Sequence, residues 1–300
     1  MPNEISLKPL LVKALMFGFN TFANLSLKYG RWRRARIEAK RLGKKHSSKK
    51  KYHLGVLAIM KNEAMNIDEW VQHYVWQGVD QIYLIDNGSN DASVALAQKW
   101  VDKGILKLII LEKPWRQKRH YWKTIQHFKI RNECEWLMVA DLDEFWFCKD
   151  PQLNLSQALE GFDFFDVIYT NWSIFGSSGH DAHPVSIRRD FLMRQEKLGA
   201  HTDTKWICRT AVLKTRNNIG IHKIKGVCSS RTLSDNQLFQ INHYVIQSLE
   251  YFKKIKMTRG DATTRSNDNL RSLQYFHDLD ATCTQKDALL LNLLSAASVS

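Results

Sequence analysis

From Leu54 to Ala140, four short apolar runs alternate with stretches of helical length, and that order admits few topologies. Leu54 to Ile59, Gln81 to Ile85, Ile105 to Leu111 and Trp136 to Ala140 each read as a buried strand. A first helix is expected after Asn66 or Asp68, with Trp70, Val71, Tyr74 and Val75 on one face and Gly78 just past its end. Ala92 to Lys103 reads as a second helix and Tyr121 to Cys134 as a third. Strands joined through helices make right-handed crossovers, hence a largely parallel α/β sheet with its strand C-terminal ends along one edge. Open sheets of this kind bind ligands outside that edge.

Every polar cluster of this stretch falls at a strand's C-terminal end: Lys61-Asn62-Glu63, Asp86-Asn87-Gly88 and Asp141-Leu142-Asp143-Glu144. Carboxylates beside a core are costly unless something cationic neutralises them. Two Asp residues at i and i+2 can hold a hard divalent cation, Mg²⁺ or Mn²⁺, and through it a diphosphate. A lone D-x-D is more often a solvated turn, and Asn, Asp and Gly favour turns in any case. Three clusters on one edge argue for a site.

Charge marks off a tail. Residues 1–51 hold 14 Lys and Arg against Glu4 and Glu38, whereas the rest of the chain holds 30 against 28. Leu10 to Leu27 is apolar, but Lys13, Asn20 and Asn24 fall with Lys28 on one helical stripe, too polar for a confident membrane span. It also lacks a small-residue signal-cleavage site. An amphipathic stretch followed by Arg31-Trp32-Arg33-Arg34-Ala35-Arg36 suits an anionic membrane surface at its cytoplasmic side; a solvated basic linker is the plain alternative. Nucleic acid is not expected, since the near-neutral body offers no basic aromatic module. Five cysteines without a C-x-x-C pair imply neither a disulfide framework nor a zinc site, and fit a reducing compartment.

The ordered set Lys61-Asn62-Glu63, Glu69-Trp70, His73, Gly78-Val79, Ile85 to Asp91 and Asp141 to Phe145 resembles glycosyltransferases of family 2 type, in the bacterial branch akin to family 92. Trp172, Phe175 to His180, Lys205, Asn242-His243-Tyr244 and Arg259-Gly260 extend the resemblance over residues 54–262. It implies a GT-A fold, a nucleotide-sugar donor (a UDP-sugar foremost) and a divalent metal held by Asp141 and Asp143. By the same resemblance Asp86 binds the base, Lys61, Asn62, Glu63 and Asn87 line the nucleotide pocket, and Asp141 also meets the ribose. His243 resembles the histidine that completes the metal shell, with His222 as its competitor. An inverting transfer to a surface-glycan acceptor needs a general base near the acceptor hydroxyl. His180, Asp181 and Asp203 are the candidates, and spacing does not rank them. Trp115 to Trp122 mixes cations with aromatics, either to meet the donor or simply to begin a helix.

The expected organisation is a membrane-docking tail (1–51), a transferase domain (52–262) and a helical extension (263–300), docked on the cytoplasmic face of the inner membrane. A D-x-D phosphohydrolase would want Thr or Val where Phe145 stands, and no Gly-rich phosphate loop opens the first strand as in a nucleotidyltransferase. A non-catalytic glycan- or nucleotide-binding protein with a vestigial D-x-D is the remaining alternative.

Overall fold

A computed structural model describes residues 50–114, 116–200, 203–258 and 270–297; the tail up to residue 49, Trp115 and the Arg259-Gly260 pair lie outside the described residues. The four expected strands are β1 (Tyr52–Met60), β2 (Gln81–Asp86), β3 (Leu106–Ile110) and β4 (Cys134–Val139). They lie side by side as β3-β2-β1-β4, every pair parallel. Between them run α1 (Ile67–Trp76), α2 (Ser93–Asp102) and α3 (Gln117–His127), with a short α4 (Ile130–Glu133).

Alternation along the strands sorts the helices onto the two faces of the sheet. Leu54, Val56, Ala58, Trp136 and Met138 pack with Ile67, Trp70, Val71 and Tyr74 of α1 and Ala97 of α2. Leu57, Ile59, Leu137 and Val139 pack on the other face with Tyr121 and Ile125 of α3. Gly78 ends α1 in the left-handed region at φ +75°, where a Cβ would also lie 2.8 Å from the Asn154 side chain. Asn66 precedes α1 but caps nothing; its amide donates instead to Glu63 Oε2 at 2.8 Å. The third helix departs from expectation. It starts at Gln117, so the cation–aromatic stretch forms its first turns, and it stops where Lys129 turns left-handed at φ 50°.

The second half adds β5 (Glu144–Cys148), α5 (Leu155–Leu159), β6 (Val167–Phe175), α6 (Ile187–Asp190), β7 (Met193–Arg194) and β8 (Thr204–Arg209). After these come β9 (Thr232–Ser234), β10 (Phe239–Tyr244), and α7 (Leu249–Tyr251) continued by a π-turn at Phe252–Lys256. The last elements are α8 (Leu273–Ala281), β11 (Gln285–Lys286) and α9 (Leu289–Ala297), and Leu290 and Leu294 of α9 join the main core. Strand β8 lies between β4 and β6, antiparallel to both, so β6 runs in the direction of the parallel set. Strand β10 is parallel to β6 and antiparallel to β5. The whole is a mixed α/β sheet flanked by helices, with an N-terminal half that is parallel and a C-terminal half that is not. The C-terminal ends of β1, β2, β4, β6 and β10 and the N-terminal end of β8 therefore meet at one edge. No helix among the described residues is long and apolar enough to cross a membrane.

Candidate active site

The strand order changes direction between β1 and β4, which opens a crevice at their C-terminal ends. Asp141-Leu142-Asp143 sits there as a tight turn into β5. Glu144 N donates to Asp141 O at 3.0 Å, and Asp141 N donates back to Glu144 Oε2 at 3.0 Å. From α1, Trp70 Nε1 donates to Asp141 O at 2.9 Å and Tyr74 OH to Glu144 O at 3.0 Å. From β10, Tyr244 N donates to Asp143 O at 2.8 Å. Two indole and phenol donors and one strand fix the turn's backbone, which leaves its carboxylates to be spent elsewhere.

Both are met by lysines. Lys205 Nζ, wholly buried at the start of β8, lies 2.6 Å from Asp141 Oδ2 and 3.4 Å from Glu144 Oε1. Burial alone would lower the Lys205 pKa, but the Asp141 and Glu144 carboxylates override it and raise it, so the ammonium is charged. Burial, with Asp141 and Asp143 close by, holds the Glu144 carboxyl well above the usual range against the pull of Lys205. Lys256 Nζ reaches Asp143 Oδ2 from the π-turn at 2.5 Å. Burial pushes the Asp143 carboxyl up, yet Lys256 and His243 win and hold it well below its ordinary value. Burial lowers His243 below 6.5 despite Asp143, so its imidazole is neutral near pH 7.

Asp141, Asp143 and His243 do not assemble as a three-ligand metal cluster; no group of three or more His, Cys, Asp or Glu side chains among the described residues does. Asp141 Oδ2 is engaged by Lys205. The remaining pair does suit a hard cation. Asp143 Oδ1 and His243 Nε2 face each other at 3.6 Å, too far to hydrogen-bond, and the neutral ring offers a lone pair. Mg²⁺ and its like typically take one or two protein ligands and fill the rest from water and substrate phosphate. The ammonium on Asp143 Oδ2 already marks the spot as one that takes positive charge.

The residues expected on the nucleotide side brace the same edge. Asp86 accepts from Gly88 N at 3.1 Å and Ser89 N at 3.2 Å, closing its own turn. Asn87 Nδ2 donates to the Leu111 and Lys113 carbonyls. Asn62, left-handed at φ 54°, receives Asn90 N on Oδ1 at 2.9 Å and donates its own N–H to Ser89 Oγ. Glu63 Oε2 accepts from Tyr251 OH of α7 at 3.1 Å, and Lys61 is exposed at the rim. His73, buried in α1, is bonded through Nε2 to Trp146 O.

The three expected general bases make local contacts of their own. His180 Nε2 meets Asp190 O at 3.2 Å with its ring edge-on to Phe191. The exposed Asp181 accepts Glu250 N on its carbonyl, and Asp203 Oδ2 receives Ala200 N at 3.0 Å. Nearer the acidic turn lies a group that sequence reasoning did not bring together. The half-buried Trp172 indole contacts both His243 (ring centroids 4.3 Å apart) and His222 (5.3 Å), with Lys205 Nζ 5.9 Å from its centroid. Lys256 was likewise missed; the signal for it is the π-turn, a distortion that recurs at functional sites.

Against known proteins, the description "Glycosyltransferase family 92" matches residues 57–280. A family 92 protein of Ricinus communis is 28% identical over 122 residues, which is 38% of this chain and 19% of that protein. One of Oryza sativa subsp. japonica is 24% identical over 214 residues, 70% of this chain and 36% of that protein. The chain thus spans between about a fifth and about a third of the length of these relatives. Among solved structures, S. aureus TarS 1-349 in complex with UDP-GlcNAc overlaps 82% of this chain and 73% of that one, at 15% identity and a TM-score of 0.41.

Proposed function

This chain belongs to glycosyltransferase family 92, and on that premise we propose that it moves a sugar from a UDP-sugar to a hydroxyl of a surface-glycan acceptor, lipopolysaccharide or capsule, with inversion. The observation that carries the reading is the acidic turn at the β1/β4 crevice, pinned on its backbone and charge-balanced by Lys205 and Lys256. Asp143 and His243 would hold a divalent cation there, Mn²⁺ or Mg²⁺. When bound, such a cation supplies Lewis-acid stabilisation of the departing diphosphate. Lys256, released from Asp143, adds a second positive charge to the same diphosphate, and Lys205 keeps Asp141 oriented at the crevice mouth. The nucleoside would lie along the braced strand ends at Lys61, Asn62, Glu63, Asp86 and Asn87.

The test is incubation of purified protein with UDP-, GDP- and CMP-sugars, with and without Mn²⁺ or Mg²⁺. Nucleotide release from one class, abolished by EDTA, is expected. The lysine contacts also favour a second reading, a non-catalytic glycan- or nucleotide-binding protein, because they neutralise both carboxylates without a metal. Binding of a nucleotide sugar without turnover on any of the panel would select that reading.

Residues 1–51 would dock the protein on the cytoplasmic face of the inner membrane, where an acceptor glycolipid is presented. Near an anionic surface each Lys or Arg contributes about 1 kcal/mol. The full chain should co-sediment with phosphatidylglycerol vesicles in low salt and not with phosphatidylcholine vesicles. A chain lacking residues 1–51 should stay in the supernatant while keeping a cooperative thermal transition, and persistent sedimentation would refute the docking role.

A further inference from the structure

We infer that His222 is the general base that removes the proton from the acceptor hydroxyl. This deepens the transferase reading and rests on it. The ring is fixed at both ends of its residue: His222 Nδ1 lies 3.0 Å from Thr204 O, and Thr204 Oγ1 donates to His222 O at 3.2 Å. A carbonyl oxygen only accepts, so Nδ1 carries the hydrogen and Nε2 carries the lone pair. His222 and His243 both contact the Trp172 indole, with ring centroids 5.3 and 4.3 Å from it, and His243 Nε2 faces Asp143. The half-buried Trp172, bordered by both imidazoles, gives the transferred sugar an apolar face to rest on beside the diphosphate end.

The charged groups facing the ring come from three places. Burial is the largest influence and lowers the His222 pKa from 6.5; Lys205 of β8 lowers it further, while Asp141 beyond β4 and Asp203 before β8 raise it. The net direction is down, which keeps Nε2 unprotonated at neutral pH. The rivals are placed differently. His180 packs on Phe191 and reaches a backbone carbonyl through Nε2, on the α6 side of the fold. Asp203 is engaged with Ala200 N, and the Asp181 backbone is tied to α7.

The step balances without any further reactant. The acceptor O–H proton passes to Nε2 as the acceptor oxygen bonds to the anomeric carbon. The bond from that carbon to the phosphate oxygen breaks on the opposite face, and its electron pair leaves with the nucleoside diphosphate. Water takes the proton from the imidazolium afterwards.

His222→Asn is the decisive variant, because the Asn amide can still donate to Thr204 O while no basic nitrogen remains. With p-nitrophenyl glycosides as acceptors and the donor that the wild type uses, kcat should fall about 10²- to 10⁴-fold. Donor KM should stay within about twofold, as expected when the lost interaction belongs to the transition state. The acid limb of the wild-type pH profile, placed below about 6.5 by the lowered pKa, should vanish, and added imidazole should restore part of the rate. His222→Gln and the thermal midpoint guard against a folding defect. Transfer by both variants within a few-fold of wild type, with the acid limb kept, would overturn the assignment alone. So would a larger loss in His180→Asn or Asp203→Asn. If the wild type itself transfers from no donor, the transferase reading fails first and takes this inference with it.

Discussion

Asp143→Asn should lower sugar transfer roughly a thousandfold or more, the scale of the charge stabilisation a bound cation supplies, while leaving the fold intact. Asn is close to isosteric, and its carbonyl can still accept from Lys256, whose ammonium lies 2.5 Å from Asp143 Oδ2. What disappears is the negative charge, and with it the donor strength of the oxygen facing His243. That charge is present throughout the working pH range, because Lys256 and His243 outweigh burial and hold the carboxyl well below 3.8. A folded-state pKa that is depressed contributes stability above the unfolded value and loses it as pH falls through the folded one. The wild type therefore keeps this contribution at neutral pH and gives it up only well into the acid range, whereas the variant lacks it throughout. Nucleotide release, Mn²⁺ titration calorimetry and far-UV circular dichroism together check the result. Near-wild-type rates with Mn²⁺ binding unchanged would sink the metal assignment.

Lys205→Met should cost about 3 kcal/mol of stability, toward the lower end for breaking a buried ion pair. For a domain of this size that is a fall of roughly 6–12 °C in the thermal midpoint. Methionine fills the space, so the loss is electrostatic. Lys205 is wholly buried, and it faces Asp141, which is a third exposed, and Glu144, which is not exposed at all. The exposed part of Asp141 and the raised pKa of Glu144 moderate the penalty, since one carboxyl can rehydrate and the other can keep a proton. The Lys205 pKa is raised, so its contribution is fully present below the unfolded lysine value and lost only as pH climbs past the folded one. The lysine's own contribution should accordingly be undiminished from about pH 6 to 9. A midpoint shift under about 2 °C would mean that Asp141 and Glu144 do not need the ammonium.

The parallel half of the fold was readable because buried strands there are apolar runs bounded by Gly, Asn and Asp, with nothing between them but amphipathic helices. The second half resisted. Strand β8, Thr-Lys-Trp-Ile-Cys-Arg, is buried along its whole length yet carries two cations, and each makes sense only through acids far away in sequence. Lys205 answers Asp141, and Arg209 answers Glu135 and Asp163. No local pattern encodes such pairs. The acidic turn was likewise legible as a place that demands positive charge, but the two ammonium groups that meet it come from β8 and the π-turn, more than 60 residues downstream. For the same reason spacing did not rank His180, Asp181 and Asp203 and offered His222 only as a rival of His243 for the metal: spacing carries no information on which ring ends up beside Trp172.

The way the acidic turn is anchored also sets a timetable for the growing chain. Its indole anchor, Trp70, is made early, with the parallel strands. Lys205 follows some 60 residues after Asp141, and the β10 amide and Lys256 arrive later still, more than 100 residues after Asp143. During synthesis at about 5–20 residues per second, the turn would wait several seconds with its carboxylates unbalanced. A nascent chain halted before β8 would hold a formed sheet edge with an uncompensated acidic mouth. Competence in this protein is thus a late event, gained when β8, β10 and the π-turn close over the acidic turn.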